Sequence, residues 1–261
     1  MLGLGNSITQ GLGSFGISSP LDFSGCKLWF RHNKGISADL NSSSGAIDHS
    51  TDADNMDEGD KIDGWADQSG EDNHAVQDTG GDAPVWVDSS SSVNFAAGKY
   101  MDLTGSGISE GSNSNFTFVF RGSAASINTA MAFFGNSTTD FWRFNSGGKV
   151  IRTKIGGSAA VDFTESTAIE TDVLYTFILT RSGGDGTLEV RVDGGSSTVL
   201  SDHQWGGTTG TDADTFTVSN IGSAGDDSNG WRGIIKHAIY YNEALSTSQR
   251  NELQEWLKNN D

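Results

Sequence analysis

The most continuous run of apolar residues lies near the end of the chain, over residues 230–246. It is dense in β-branched and aromatic side chains, which are enriched in strands, and a strand this apolar is buried on both faces. We therefore predict that it lies in the middle of a sheet, with other strands packed around it.

A short helix is predicted after this strand, ending near Leu257. Ser246 and Gln249 have the spacing of a capping box, in which side chains and backbone satisfy each other at a helix start. Leu253, Trp256 and Leu257 then follow at helical spacing on one face. We predict that this face seals one end of the sheets.

Period-two alternation is clearest in the middle of the chain. Residues 116–121 place a Phe at every second position, and residues 188–194 alternate apolar with charged side chains. This period indicates half-buried strands of antiparallel sheets. Glu189, Arg191 and Asp193 share one strand face, which we predict to be solvated and to hold cross-strand charge pairs. The glycine-rich residues 183–186 fit a hairpin loop.

Shorter apolar runs bounded by turn residues bring the total to roughly a dozen strands. No helical pattern competes before the closing helix, and the chain has no internal repeat or heptad period. These patterns predict an all-β fold, an antiparallel β-sandwich with a short C-terminal helix and an extended N-terminal arm.

Residues 1–24 are predicted to form the arm and residues 25–261 the folded domain. The arm has no charged residue before Asp22 and shows neither a strand nor a helix period. A disordered tail is the alternative, but the arm is more apolar than a solvated linker needs to be. We expect it to dock on this subunit or on a neighbour. The apolar positions of the arm are Leu2, Leu4, Ile8, Leu12 and Phe15.

The charge balance limits the partners that can be expected. The 261 residues include 16 Lys and Arg against 34 Asp and Glu, which gives a formal net charge of -18. A surface this acidic repels a polyanion, so we expect no nucleic-acid partner. The acidity suits solubility first, and it also suits divalent cations or a salty medium.

Cys26 is the only cysteine, so no disulfide can form within the chain and nothing points to an oxidising compartment. Residues 1–8 lack both the positive charge of a signal peptide and the apolar length of a membrane span. We expect no membrane insertion and a product that is soluble where it is made.

Two acidic loops could hold a hard cation. Residues 52–60 place oxygen ligands at alternate positions, and calcium takes six to eight oxygens. Met56 and Gly59 break the EF-hand spacing, so we prefer a solvated acidic loop and keep calcium as the alternative. The candidate calcium ligands are Asp52, Asp54, Asp57, Asp60, Asp226 and Asp227.

Three tryptophans lie beside polar or acidic loops, namely Trp142, Trp205 and Trp231. They are the candidate platforms for sugar rings, although we prefer for each the interpretation of a half-buried ring that holds its own loop. His74 has no second His or Cys nearby, so we interpret it as a hydrogen-bonded loop residue rather than a metal ligand.

The sequence shows no catalytic motif. A glycosidase needs two carboxylates facing each other across a groove, roughly 5 to 10 Å apart. No Glu-x-Asp-x-Glu run supplies such a pair from one strand face, and no nucleophile elbow, phosphate loop or metalloprotease helix is present. We therefore expect a protein that is not an enzyme.

Eight segments follow one another in a fixed order along the chain: residues 28–30, 65–70, 73–77, 93–95, 100–103, 188–194, 221–222 and 230–257. Taken in order, these segments resemble the laminin-G-like, concanavalin-A-like jelly roll over about residues 25–261. One such domain behind a short, glycine-rich apolar arm resembles virion structural proteins of tailed phages, especially marine ones.

The resemblance implies a non-enzymatic structural or decoration protein of a virion, assembled in the host cytoplasm. Its arm would dock on neighbouring virion subunits, the protein would be a homo-oligomer, and the jelly roll would face outward. The alternative is a carbohydrate-binding adhesin, either a tail fibre or a free lectin, that binds host surface polysaccharide through the loop tryptophans with the help of calcium.

Overall fold

The computed structural model describes residues 16–38, 56–105, 107–111, 114–136, 140–145, 147–154, 160–164, 168–182, 185–192, 198–202, 216–223 and 229–261. Within these residues the chain forms nineteen β-strands and one α-helix, α1 (Thr247–Lys258). The strands are β1 (Cys26–Arg31), β2 (Ile36–Ser37), β3 (Gly64–Trp65), β4 (Ala75–Val76), β5 (Val85–Val87), β6 (Ser92–Phe95), β7 (Met101–Leu103), β8 (Ile108–Glu110), β9 (Phe116–Ala124), β10 (Met131–Gly135), β11 (Phe141–Phe144), β12 (Val150–Lys154), β13 (Val161–Thr164), β14 (Tyr175–Ser182), β15 (Asp185–Val192), β16 (Thr198–Asp202), β17 (Phe216–Val218), β18 (Asn220–Ile221) and β19 (Gly233–Tyr241).

The strands form two large sheets. An eight-stranded sheet has the order β16-β15-β14-β9-β19-β6-β5, with β1 also paired to β19. A nine-stranded sheet has the order β13-β12-β11-β10-β18-β7-β4-β3-β2, and β8 and β17 form a separate pair. All pairs between these strands are antiparallel. The predicted antiparallel β-sandwich with a C-terminal helix is confirmed.

Strand β19 lies inside the eight-stranded sheet, as its apolar sequence predicts. One edge pairs with β9 along almost its whole length. The other edge is shared by two shorter strands: β6 pairs with the first three residues of β19, and β1 pairs with the last five. Gly233 begins β19 at φ +135°, and a Cβ there would lie 2.0 Å from the Ser123 carbonyl oxygen, so only glycine fits.

An aromatic core fills the space between the sheets. The alternating Phe116, Phe118 and Phe120 of β9 all point into it, as predicted. Phe118 packs against Phe134 of the opposite sheet in a tilted arrangement, at 5.1 Å between ring centroids, and other rings fill the space around this pair. Such pairs of rings stabilise a core beyond the apolar area that they bury.

Helix α1 begins at the predicted capping box, in which the Ser246 side chain accepts from the Gln249 backbone and the Gln249 side chain accepts from the Ser246 backbone. Leu253, Trp256 and Leu257 are buried on one face, as predicted. This face packs on the outward-facing residues of the eight-stranded sheet, including those of β9, β14 and β19. The helix therefore covers the face of a sheet instead of sealing one end of the sandwich.

The charged face predicted on β15 is not solvated. Glu189 and Arg191 are 2% and 7% exposed, because α1 lies over them. Glu189 accepts from Arg191 Nε at 2.9 Å and from Arg250 Nε of α1 at 2.5 Å. The alternation of β15 predicts which side chains share this face, but it carries no information on the helix that covers it. Asp193 lies outside the described residues.

The described part of the predicted arm packs on its own subunit. Trp256 Nε1 donates to the Ser18 carbonyl at 2.8 Å, and the Tyr241 hydroxyl donates to the Pro20 carbonyl at 3.0 Å. Ile17 contacts the apolar cluster beneath α1. Leu2, Leu4, Ile8, Leu12 and Phe15 lie outside the described residues, so docking of the arm on a neighbour stays a prediction.

In the part of the chain that the structure covers, no helix is long and apolar enough to cross a membrane.

Candidate functional site

One row of positions crosses the outer face of the nine-stranded sheet. The strand register places Asp102 of β7 opposite Asn220 of β18, and Asn220 opposite Gly135 of β10. Gly135 lies opposite Phe141 of β11, which lies opposite Lys154 of β12. Five strands therefore contribute one position each to a row that runs across the sheet.

The alternation of each strand explains why these side chains point outward. Met101 and Leu103 flank Asp102 and belong to the core, so Asp102 must face the opposite side of the sheet. Ile221 and Trp142, which follow Asn220 and Phe141, are core residues in the same way.

Four polar side chains are connected in the centre of this face, and we call them the polar row: Asp102, Asn136, Ser219 and Asn220. Asn220 Nδ2 donates to Asp102 Oδ1. The Ser219 hydroxyl lies 3.0 Å from Asn220 Oδ1 and 2.7 Å from Asn136 Oδ1, and can donate its single hydrogen to either. Asp102 and Asn136 are exposed at the two ends of the row. The row therefore presents carboxylate and amide groups to solvent in fixed positions.

A second carboxylate lies close to the polar row. Val76 of β4 is opposite Asp102, and Asp78, two residues further along, is exposed. The pKa of Asp102 is raised by partial burial first and by the charge of Asp78 second, while the hydrogen bond from Asn220 acts in the opposite direction. A carboxyl group with a raised pKa beside another carboxylate is a recognised feature of functional sites.

Sequence reasoning missed this pair of carboxylates. The sequence pattern expected for a catalytic pair places both carboxylates at neighbouring positions of one strand. Asp78 and Asp102 instead come from different segments that the sheet brings together. No spacing in the linear sequence marks them as neighbours.

The structure rules out two of the three tryptophans as sugar platforms. Trp142 and Trp231 are both 0% exposed, and they stack on Phe133 at 4.5 Å and 5.1 Å between ring centroids. Their polar neighbours in sequence suggested loops, but both rings point into the core between the sheets. Trp205 lies outside the described residues. Among the residues that the structure places, Leu21 is the large hydrophobic side chain that is exposed.

The calcium prediction is only partly covered by the structure. Asp57 and Asp60 lie in one turn, where the Asp57 backbone N–H donates to Asp60 Oδ2 at 2.9 Å. In the described ranges no group of three or more His, Cys, Asp or Glu side chains is placed to hold a metal ion. Asp52, Asp54, Asp226 and Asp227 lie outside those ranges, so calcium binding stays a prediction.

His74 and Cys26 have the structural roles that the sequence suggests. His74 Nδ1 accepts from the Asp67 backbone N–H at 3.1 Å, which makes it a hydrogen-bonded loop residue. Burial raises the pKa of the Cys26 thiol to about 12, so it is a poor nucleophile.

A groove of about 540 Å³ runs between residues 16–18 and helix α1. Its lining includes Glu252, Glu255 and Trp256. It lies beside the eight-stranded sheet and contains none of the residues of the polar row. We assign it no ligand, because nothing in the structure shows what covers it.

A second group of titratable side chains lies beneath the end of helix α1. Arg121 Nε lies 2.9 Å from both carboxylate oxygens of Asp261, and Arg121 Nη1 donates to Thr176 Oγ1 at 2.8 Å. His237 is fully buried, with its ring 5.4 Å from that of His32. Arg121 and His237 are 0% exposed and the Asp261 side chain is 18% exposed, so we interpret the group as a structural contact that holds the C-terminal segment on the sheet.

The pKa of His237 is held well below its usual value, by burial first and then by repulsion from His32 when that ring is protonated and from Arg121 and Arg31. Burial also lowers the pKa of His32. Both histidines are therefore neutral in the folded protein at neutral pH, among cations balanced by the Asp261 carboxylate.

Acidification below the usual histidine pKa of about 6.5 is expected to destabilise the fold. Above that pH the two neutral histidines cause no loss in the free energy of unfolding. As the pH falls towards the lowered folded pKa values, the unfolded chain binds protons that the folded chain does not, which removes up to about 1.4 kcal/mol per pH unit for each histidine. Urea unfolding between pH 8 and pH 5 measures this loss. The variant His237→Phe keeps an aromatic ring and should flatten the dependence, and an identical slope in both proteins would contradict the assignment.

No protein-family model and no curated protein matches this chain. Solved structures do match. The chain aligns with Trypanosoma rangeli sialidase at 15% identity and a TM-score of 0.55, covering 93% of this chain and 36% of that one. It aligns with an arabinofuranosidase complexed with arabinofuranosyl-alpha-1,2-xylobiose at 16% identity and a TM-score of 0.55, covering 76% and 50%. A GH54 α-L-arabinofuranosidase gives 16% identity and a TM-score of 0.53, covering 90% and 59%.

These likenesses establish the fold. The chain spans between 36% and 59% of the length of the three proteins. All three are carbohydrate-active enzymes by name, which contradicts the expectation, drawn from missing catalytic motifs, that this protein is not an enzyme. The virion location and the virion partners stay predictions.

Proposed function

We propose that this protein binds carbohydrate across the outer face of its nine-stranded sheet, at the polar row. The observation that carries this proposal is the carboxylate and amide pair of Asp102 and Asn220, connected through Ser219 to the exposed Asn136. Sugar hydroxyl groups both donate and accept hydrogen bonds, and a fixed set of carboxylate and amide groups offers both partners.

Gly135 lies in the row directly beside Asn220, on the outer face of the sheet. Gly135, Asn220 and Phe141 are themselves buried, so Asp102 and Asn136 are the groups of this face that a ligand can reach directly.

The fold supports the same proposal. The sialidase and the arabinofuranosidases that share it act on carbohydrates by name, and one of them was solved with a bound oligosaccharide. We propose that this chain shares with them the use of a β-sandwich for carbohydrate, by hydrogen bonds instead of the rings of Trp142 and Trp231, which are buried.

The variant Asp102→Asn is expected to weaken glycan binding about tenfold or more, because hydrogen bonds to a charged group contribute roughly 1.5 to 3 kcal/mol. Asp102 is exposed, so the free energy of unfolding should change by less than about 0.5 kcal/mol. Titration calorimetry against arabinan, xylan, sialyllactose and polygalacturonate measures the dissociation constants.

The control variant is Glu255→Gln, an exposed carboxylate on α1, over the other sheet. It should bind every glycan as the wild type does. Wild-type protein that binds none of these glycans, or an Asp102→Asn variant that binds as tightly as wild type, would contradict the proposal.

Hydrolysis of the bound glycan is a second candidate function, favoured by one observation. Asp78 lies beside Asp102 and raises its pKa, and glycoside hydrolysis uses one carboxyl group as acid and another as base or nucleophile. Incubation of the protein with the glycan it binds, followed by an assay for new reducing ends, distinguishes an enzyme from a binding protein.

A further inference from the structure

The charge of the chain reverses locally at strands β11 and β12. The protein carries a formal net charge of -18, yet residues 143–154 contain four cationic side chains and no Asp or Glu. We call these four residues the basic patch: Arg143, Lys149, Arg152 and Lys154.

The strand register concentrates this charge on the outer face. Arg143 of β11 lies directly opposite Arg152 of β12. Arg152 and Lys154 are two residues apart on β12, so they share the face that Arg143 occupies. Like charges directly opposite each other in a sheet are destabilising. The facing cations of β11 and β12 are therefore not explained by a contribution to the stability of the fold.

The described side chains of the patch are partly exposed, and Arg152 is already held in an ion pair. Arg152 donates from Nε and Nη2 to the two carboxylate oxygens of Asp162 on β13, at 2.6 Å each. The side chains of Arg152 and Asp162 are 34% and 38% exposed, and Lys149 is exposed. The Arg143 guanidinium lies 4.2 Å from the centre of the Phe141 ring, which holds it against the sheet.

The basic patch lies on the same line of paired strand positions as Asp102 and Asn220 of the polar row. Lys154 lies opposite Phe141, and that row reaches Asp102 through Gly135 and Asn220. Strands β12 and β7 are four strand spacings apart, or roughly 19 Å. An extended oligosaccharide of that length spans the distance from the patch to the exposed Asp102, across positions at Phe141, Gly135 and Asn220 that are buried.

We infer that the glycan bound on this face is anionic, a polysaccharide bearing carboxylate or sulfate groups, and that its charge lies against Arg152 and Lys154. This inference rests on the proposed function. The high negative charge of the rest of the protein opposes any polyanion whose charges extend well beyond a patch of two strands, a nucleic acid included, so the charged groups in contact are those over β11 and β12.

Binding of three polymers tests the inference: polygalacturonate for carboxylate groups, dextran sulfate for sulfate groups, and dextran as a neutral chain. Wild-type protein should bind at least one anionic polymer ten times or more tightly than dextran in 50 mM salt, and more weakly in 300 mM salt. The double variant Arg152→Gln, Lys154→Gln should lose at least tenfold in affinity. The matched control Lys258→Gln, on α1, should bind as wild type does.

Each other outcome overturns the inference in a distinguishable way. If the double variant binds a neutral glycan such as arabinan or xylan unchanged and wild type shows no preference for charge, the inference fails and the proposed function stands. If no glycan binds, the proposed function fails as well. Tighter binding of a single-stranded oligonucleotide than of any polysaccharide would assign the patch to nucleic acid. Urea unfolding of the double variant confirms that it is folded.

Discussion

Replacing Trp231 by alanine is expected to lower the free energy of unfolding by about 3 to 5 kcal/mol. The indole is 0% exposed and contacts Phe120 edge-to-face at 4.8 Å and Phe133 in a tilted arrangement at 5.1 Å between ring centroids, between the two sheets. Its removal leaves a cavity that these rigid neighbours fill only in part. Urea denaturation followed by circular dichroism measures the change.

The variant Trp231→Phe is the matched control for this prediction. It keeps a ring in the core and should lose clearly less stability than Trp231→Ala. If Trp231 were an exposed sugar platform, both substitutions would change stability by less than about 0.5 kcal/mol and would abolish glycan binding. That pattern would contradict the buried position.

Replacing Glu189 by alanine is expected to cost roughly 3 to 5 kcal/mol, because removing one partner of a buried ion pair leaves the other charge uncompensated. Glu189 is 2% exposed and holds both Arg191 of β15 and Arg250 of α1. The substitution should therefore loosen α1 from the eight-stranded sheet as well as destabilise the fold. Urea unfolding gives the free energy, and hydrogen exchange of the α1 amides gives the loosening.

The exposed ion pair between Lys27 and Glu71 provides the comparison. Their side chains are 37% and 43% exposed, so Glu71→Ala should cost less than about 1 kcal/mol. Equal losses for Glu189→Ala and Glu71→Ala would contradict the interpretation of Glu189 as a buried link between sheet and helix.

The parts of the fold that could be predicted are those specified by local patterns. Residues 116–120 alternate because one face of β9 meets the core, and the capping box at Ser246 needs only four consecutive residues. The central position of β19 follows from its apolar composition. In each case the information lies within one segment of the chain.

Predictions that needed two segments failed. The solvated face assigned to Glu189 is buried because α1, some sixty residues later, lies over it. Trp142 and Trp231 have polar neighbours in sequence, but their rings point between the sheets. Composition of a loop predicts the exposure of its backbone, and it does not predict the direction of a large side chain at its edge.

The candidate site could not be predicted from local patterns, because its residues come from distant segments. Asp102 and Asn220 are 118 residues apart, and they meet because β7 pairs with β18. Asp78 joins them through β4. Only the basic patch could have been read from the sequence, as a run of four cations within an acidic chain.

The most direct test of the central claim is hydrogen exchange of the wild-type protein with and without the glycan that it binds most tightly. Binding on the outer face of the nine-stranded sheet predicts slower exchange in β7 and β18, with β12 also protected if the glycan is anionic. Exchange along α1 and β15 should not change. Protection confined to α1, or no change in β7 and β18 at saturating glycan, would contradict the account.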